Sequence, residues 1–176
     1  DGALPVFRDK ELAVVGGGDS AVEEATYLAK FASRVYLIHR RDALRASKIM
    51  QQRAFDNNKI EILWNKTVID VLGDETISGV QLKDTQTNEQ SELPLAGLFM
   101  ALGHTPITDF LAGQLETDAK GYLKLADLYR STTAIEGVFV AGDVSDSVYR
   151  QAVTAAAMGC KAAMDAERWL AEQGLG

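Results

Sequence analysis

Two hydrophobic periods share this chain. Leu12-Ala13-Val14-Val15 is an unbroken apolar run that ends in Gly16-Gly17-Gly18, as expected of a central parallel strand, Glu11 to Val15, buried on both faces. From Ser20 to Ala32 the period becomes helical: Ala21, Ala25, Leu28 and Ala32 recur on one face, with Val22 and Ala29 beside them. Glu23 and Glu24 fall in the first turn, where the helix dipole favours acids; they either orient a ligand or form a solvated face. Asp19 and Ser20 compete as the cap, and Ser20 to Glu23 fits a capping box. The pattern then predicts a strand from Arg34 to His39 and a helix from Ser47 to Phe55. Strands are expected at 60–64, 67–72 and 77–82, a polar turn at 84–91, and strands at 92–95 and 98–102.

Gly103-His104-Thr105-Pro106 interrupts this order. His104 there reads as a hinge residue or as an acid/base histidine. Beyond it the pattern predicts a loose segment, a short strand near Tyr122 to Lys124, and a helix from about Tyr149 to Gln173. The apolar stripe of that helix is Ala152, Val153, Ala156, Cys160, Ala163 and Met164. The expected fold class is α/β. Residues 1–102 form a three-layer nucleotide-binding domain with an inserted β-meander, and residues 103–176 carry too few strands to close a core of their own.

The chemistry comes from the first turn. A helix N-terminus offers unpaired N–H groups and a partial positive charge, so it holds a pyrophosphate. Gly16 permits the tight turn, Gly18 lets backbone approach phosphate, and Ala21 allows close helix–strand packing, as in a Rossmann-like GxGxxA turn. Asp19 and Ser20 open the helix beside it. His39, Arg40 and Arg41 close the second strand, where an acid would select NAD. Arginine instead presents paired donors to a 2′-phosphate, and Arg45 follows four residues on. The expected ligand is therefore NADPH.

Composition narrows the setting. The 176 residues carry a formal charge of −7, which argues against nucleic acid as the main partner and makes the cluster of Arg40, Arg41, Arg45 and Lys48 stand out. No apolar run approaches the roughly 18 residues of a membrane span, and Asp1-Gly2-Ala3-Leu4-Pro5 is no secretory signal. A start without Met points to a processed chain or a piece of a longer one. Cys160 is the only cysteine, so an internal disulfide and a CxxC pair are both excluded. It reads as a packed helix residue rather than a reactive thiol.

The ordered motifs Gly16-Gly17-Gly18-Asp19-Ser20-Ala21, His39-Arg40-Arg41-Asp42 with Arg45-Ala46, Gly97-Leu98-Phe99 with Gly103-His104-Thr105-Pro106, Gly137-Val138-Phe139-Val140-Ala141-Gly142-Asp143-Val144, and Tyr149-Arg150-Gln151-Ala152 with Gly159-Cys160 run along essentially the whole chain. Together they resemble the low-molecular-weight thioredoxin reductases. That resemblance implies an NADPH domain over Asp1 to Leu102 and, from Gly103, an incomplete second half of an FAD domain. Electrons would pass from NADPH to FAD, then to a CxxC disulfide, then to thioredoxin, in a homodimer; the single cysteine fits a cytoplasmic origin. The resemblance makes Asp1-Gly2 the step that follows the redox pair, with Asp1 as the acid/base residue of the dithiol. It assigns Gly103, Gly142, Asp143, Arg150, Gln151 and Ala152 to the flavin; from chemistry alone, Asp143 reads equally as an Asx turn or cap. The CxxC and the first FAD glycine turn are missing from these residues. A ferredoxin–NADP reductase of the same fold and a bare NADPH-binding module are the alternatives.

Overall fold

In the computed structural model, which describes residues 4–175, the first apolar run becomes β1 (Glu11–Gly16). It is followed by α1 (Asp19–Leu28), β2 (Arg34–Ile38), α2 (Lys48–Phe55) and β3 (Ile60–Leu63). An antiparallel meander comes next, β4 (Lys66–Gly73), β5 (Ile77–Asp84) and β6 (Gln90–Pro94), before β7 (Gly97–Ala101) returns to the first sheet. The parallel sheet has the order β3-β2-β1-β7, and the meander forms a separate sheet, β4-β5-β6. A 21-residue helix, α3 (Ala152–Glu172), lies near the C-terminus.

The period-2 geometry of a strand explains the three layers. Leu12 and Val14 of β1, with Val35 and Leu37 of β2, pack on one face against Ala21, Val22, Ala25 and Leu28 of α1 and Met50 and Ala54 of α2. Ala13, Tyr36 and Ile38 point to the other face and meet Val80 and Leu82 of the meander. A strand covered on both sides has no polar alternation, which is why β1 reads as continuous apolar sequence. The α/β three-layer fold with its inserted meander is the expected one.

The chain divides into two compact units, Asp1–Gly103 and His104–Gly176. The second has a small core of Leu115, Leu123 and Val140. The strand expected near Tyr122 is only an isolated bridge between Leu123 and Thr117.

Three local expectations change. The N-cap of α1 is Gly18, and no side chain caps it, so neither Asp19 nor Ser20 takes that place. β6 starts at Gln90, inside the expected turn, because Asp84 shortens the turn by accepting the Gln86 and Thr87 N–H groups at 2.8 and 2.9 Å. In α3 the predicted core stripe of Ala152, Val153, Ala156, Cys160, Ala163 and Met164 is exposed. The opposite face packs instead: Trp169 meets Phe139 edge-on, and the buried Asp165 carboxylate accepts the Ser131 N–H at 2.8 Å.

Candidate dinucleotide-binding site

Between β1 and α1 the glycines do different work. A β-carbon on Gly16 would sit 2.5 Å from the Ala101 carbonyl oxygen and 2.6 Å from the Ala21 β-carbon, so the close helix–strand approach requires glycine there. A β-carbon on Gly17 would run into the His39 ring. One on Gly18 would meet none of the described residues within 4 Å. Gly18 sits at φ −95°, a backbone any residue adopts. The protein itself therefore does not require glycine at 18. What that residue leaves open is a cradle at the N-terminus of α1, which suits a pyrophosphate.

The loop after β2 is stitched to this turn. The Gly17 carbonyl accepts the Arg45 N–H at 2.7 Å and the Ala46 N–H at 3.0 Å. The Asp19 carboxylate accepts the Ser47 N–H at 2.6 Å. His39, 5% exposed, has Nδ1 3.0 Å from the Gly16 carbonyl oxygen and Nε2 2.9 Å from that of Ala43. Two expectations shift as a result. Both His39 nitrogens face backbone carbonyls, so the ring braces the turn rather than offering a free group to a ligand, and Asp19 ties the arginine loop to α1 through one carboxylate oxygen, Oδ1. Gly17 and most of this brace were not evident in the sequence, because all the partners except His39 and Ala43 lie 22 to 29 residues apart.

A cavity of about 400 Å³ opens where β1, β2 and β7 end. Gly16, His39, Arg40, Arg45 and Lys66 line it, with an apolar wall that includes Met100. Arg40 and Arg45 thereby line one cavity with Gly16 and Gly17 of the glycine turn. Arg41 is exposed and does not line this cavity, while its carbonyl accepts the Asn65 N–H at 3.3 Å. Ser20 is exposed in the first turn of α1, and Ala21 is buried beneath it. Lys66 was not anticipated; its place depends on the pairing of β4 with β5.

In the second unit a cavity of about 310 Å³ is lined by His104, Pro106, Tyr122, Asp143 and Arg150, among others. Gly142 has φ +85° and Gly103, at the end of the first unit, φ +88°, both conformations that favour glycine. Arg150 adopts φ +50°, and its Nε is buried without a hydrogen-bond partner among the described residues. A buried guanidinium N–H needs an acceptor from outside the described residues. The residue that sets this geometry is Asp146, which sequence reasoning missed. Its carboxylate accepts the N–H groups of Tyr149, Arg150 and Val148 at 2.8, 2.9 and 2.9 Å, and these bonds hold its carboxyl below the usual aspartate value. Gln151 caps α3 and Ala152 opens it, so the helix N-terminus follows Arg150 directly. The remaining assignment, Asp1, lies outside the described residues.

A parallel sheet with a glycine turn at the head of α1 and arginines at the end of β2 defines a dinucleotide-binding protein of the Rossmann class. Residues 2–159 match the pyridine nucleotide-disulphide oxidoreductase family, and the chain belongs to it. The chain is 54% identical to thioredoxin reductase 2 of Arabidopsis thaliana over 99% of its own length and 46% of that protein. It is 53% identical to thioredoxin reductase 1 of Saccharomyces cerevisiae, over 97% and 53% respectively. Among solved structures, thioredoxin reductase from Streptococcus pyogenes superposes with a TM-score of 0.83 at 39% identity, over 98% of this chain and 55% of that one. The chain thus spans about half the length of the relatives it matches. Family membership implies NADPH and FAD as cofactors.

Proposed function

We propose that this chain carries the NADPH site and part of the FAD site of a thioredoxin-disulfide reductase. The observation that carries the reading is the joint placement of Arg40, Arg45 and the open Gly18 cradle around one stitched turn. The α1 N-terminus seats the pyrophosphate, and Arg40 and Arg45 face the adenosine 2′-phosphate, with Arg41 beside them. At the second cavity, Asp143 accepts from a polyol chain, and Arg150 with the head of α3 faces the electron-rich edge of the flavin. FAD, when bound, supplies the two-electron relay between NADPH and a disulfide.

Because Cys160 is the only cysteine, the dithiol that reduces thioredoxin comes from outside these 176 residues. The relatives' shared name supports thioredoxin as the partner of the whole protein. A homodimer and a cytoplasmic location complete the reading, although one relative from Arabidopsis thaliana is named as mitochondrial. Among the described residues, no helix is long and apolar enough to cross a membrane.

Calorimetric titration of the chain with NADPH, NADH and FAD tests the proposal. NADPH is expected to bind at least about tenfold more tightly than NADH, as one charge-assisted bond to the extra phosphate would give. Equal affinities would overturn it.

A further inference from the structure

The meander does more than cover the sheet. Its first residue, Lys66, lines the same cavity as Arg40 and Arg45. The Lys66 N–H donates to the His39 carbonyl at 3.0 Å, which ties the head of β4 to the end of β2. Its ammonium lies 2.8 Å from Asp84 Oδ2, and the two side chains are 29% and 16% exposed. Asp84 is itself immobilised. Its Oδ1 accepts the Gln86 and Thr87 N–H groups, and Lys66 together with these two bonds holds the carboxyl well below the usual carboxylate range. The next residue, Thr85, donates its hydroxyl to the Arg40 carbonyl at 3.2 Å and its N–H to the Asn65 carbonyl at 2.7 Å. One tight turn of the meander thus anchors both Lys66 and the backbone of Arg40.

An ammonium has three donors. Asp84 takes one, which leaves two beside a cavity that Arg40 and Arg45 also line. A lysine in that position acts as a point charge toward phosphate, where arginine grips it bidentately. We propose that Lys66 is a further specificity-determining residue for NADPH, held by Asp84 so that its free donors face the adenosine 2′-phosphate alongside Arg40 and Arg45. The proposal rests on the NADPH reading of this cavity.

The test is titration of the full chain with NADPH and NADH, for Lys66→Met, Lys66→Arg and Arg40→Ala. Because Asp84 offsets part of the charge, Lys66→Met is expected to weaken NADPH by about three- to tenfold and NADH by less than about twofold. Lys66→Arg restores NADPH, and the salt dependence of NADPH binding falls in Lys66→Met. Removing lysine alone strands the Asp84 carboxylate. If that variant is poorly folded, Lys66→Met with Asp84→Asn removes both charges and is expected to show the same selective loss. Equal effects on both cofactors, or none, while Arg40→Ala remains selective, would overturn the role of Lys66 and leave the NADPH reading intact. If Arg40→Ala is also unselective, the cavity is not the 2′-phosphate site and both proposals fall.

Discussion

The imidazole of His39 occupies the space that a β-carbon on Gly17 would need. The ring is buried, and its two nitrogens lie 3.0 and 2.9 Å from the Gly16 and Ala43 carbonyl oxygens, so it has nowhere to retreat. Gly17→Ala is therefore expected to destabilise the fold by about 1–3 kcal/mol, the usual cost of overpacking, in urea unfolding. Gly18→Ala meets open space and is expected to leave stability within about 0.5 kcal/mol. It should weaken NADPH and NADH alike, because the pyrophosphate is common to both; calorimetry on the two cofactors checks this.

Arg40 faces the cavity, and its backbone carbonyl is held by Thr85. Arg40→Ala is expected to weaken NADPH by about 1.5–3 kcal/mol, typical of a hydrogen bond to a charged group, with NADH nearly unchanged. Parallel titrations measure the difference. A similar loss for both would place this guanidinium away from the 2′-phosphate.

The bond from the Ser47 N–H to Asp19 joins the arginine loop to the head of α1. Asp19→Ala is expected to cost about 1 kcal/mol of stability and to loosen the loop, seen as faster amide exchange across 40–47. Asp19→Asn keeps an acceptor and should recover most of the protection.

Asp146 supplies the pH-dependent element. Three backbone donors favour its ionised form, so its folded pKa lies below the unfolded one. Its contribution to stability is therefore complete above the unfolded aspartate value, about 3.9, and is lost as pH falls through the lower folded value. Thermal melts should show Asp146→Asn less stable than the parent at pH 6, with the gap narrowing below about pH 4. A gap that widens on acidification would contradict the assignment.

The frame of the first unit was legible because its evidence is local. Leu12 to Val15 is apolar on both faces, α1 has a helical stripe, and Gly16 and Ala21 lie within one turn of chain. What escaped is non-local. Lys66 meets Asp84 only because β4 and β5 pair in the register that sets those two residues opposite each other. His39 reads as a ligand group until Gly16 and Ala43 are brought to its two nitrogens. The face of α3 was misjudged because small residues occur all around it, so its stripe carries little directional information; Trp169 and Asp165 turn the other side inward. Asp146 escaped because a carboxylate that accepts from following N–H groups leaves no apolar period to read.

The brace between the glycine turn and the arginine loop has a further consequence. On the proposed reading, the bonds that Arg45, Ala46 and Ser47 donate to the turn, with the His39 contact to Gly16, set the distance between the seat of the diphosphate bridge and the arginines before any guest arrives. The fold acts as a ruler. A nucleotide whose two anionic groups match its length docks without first having to order the loop, and one that lacks the second group leaves sooner, so discrimination between the carriers should be expressed chiefly in residence time.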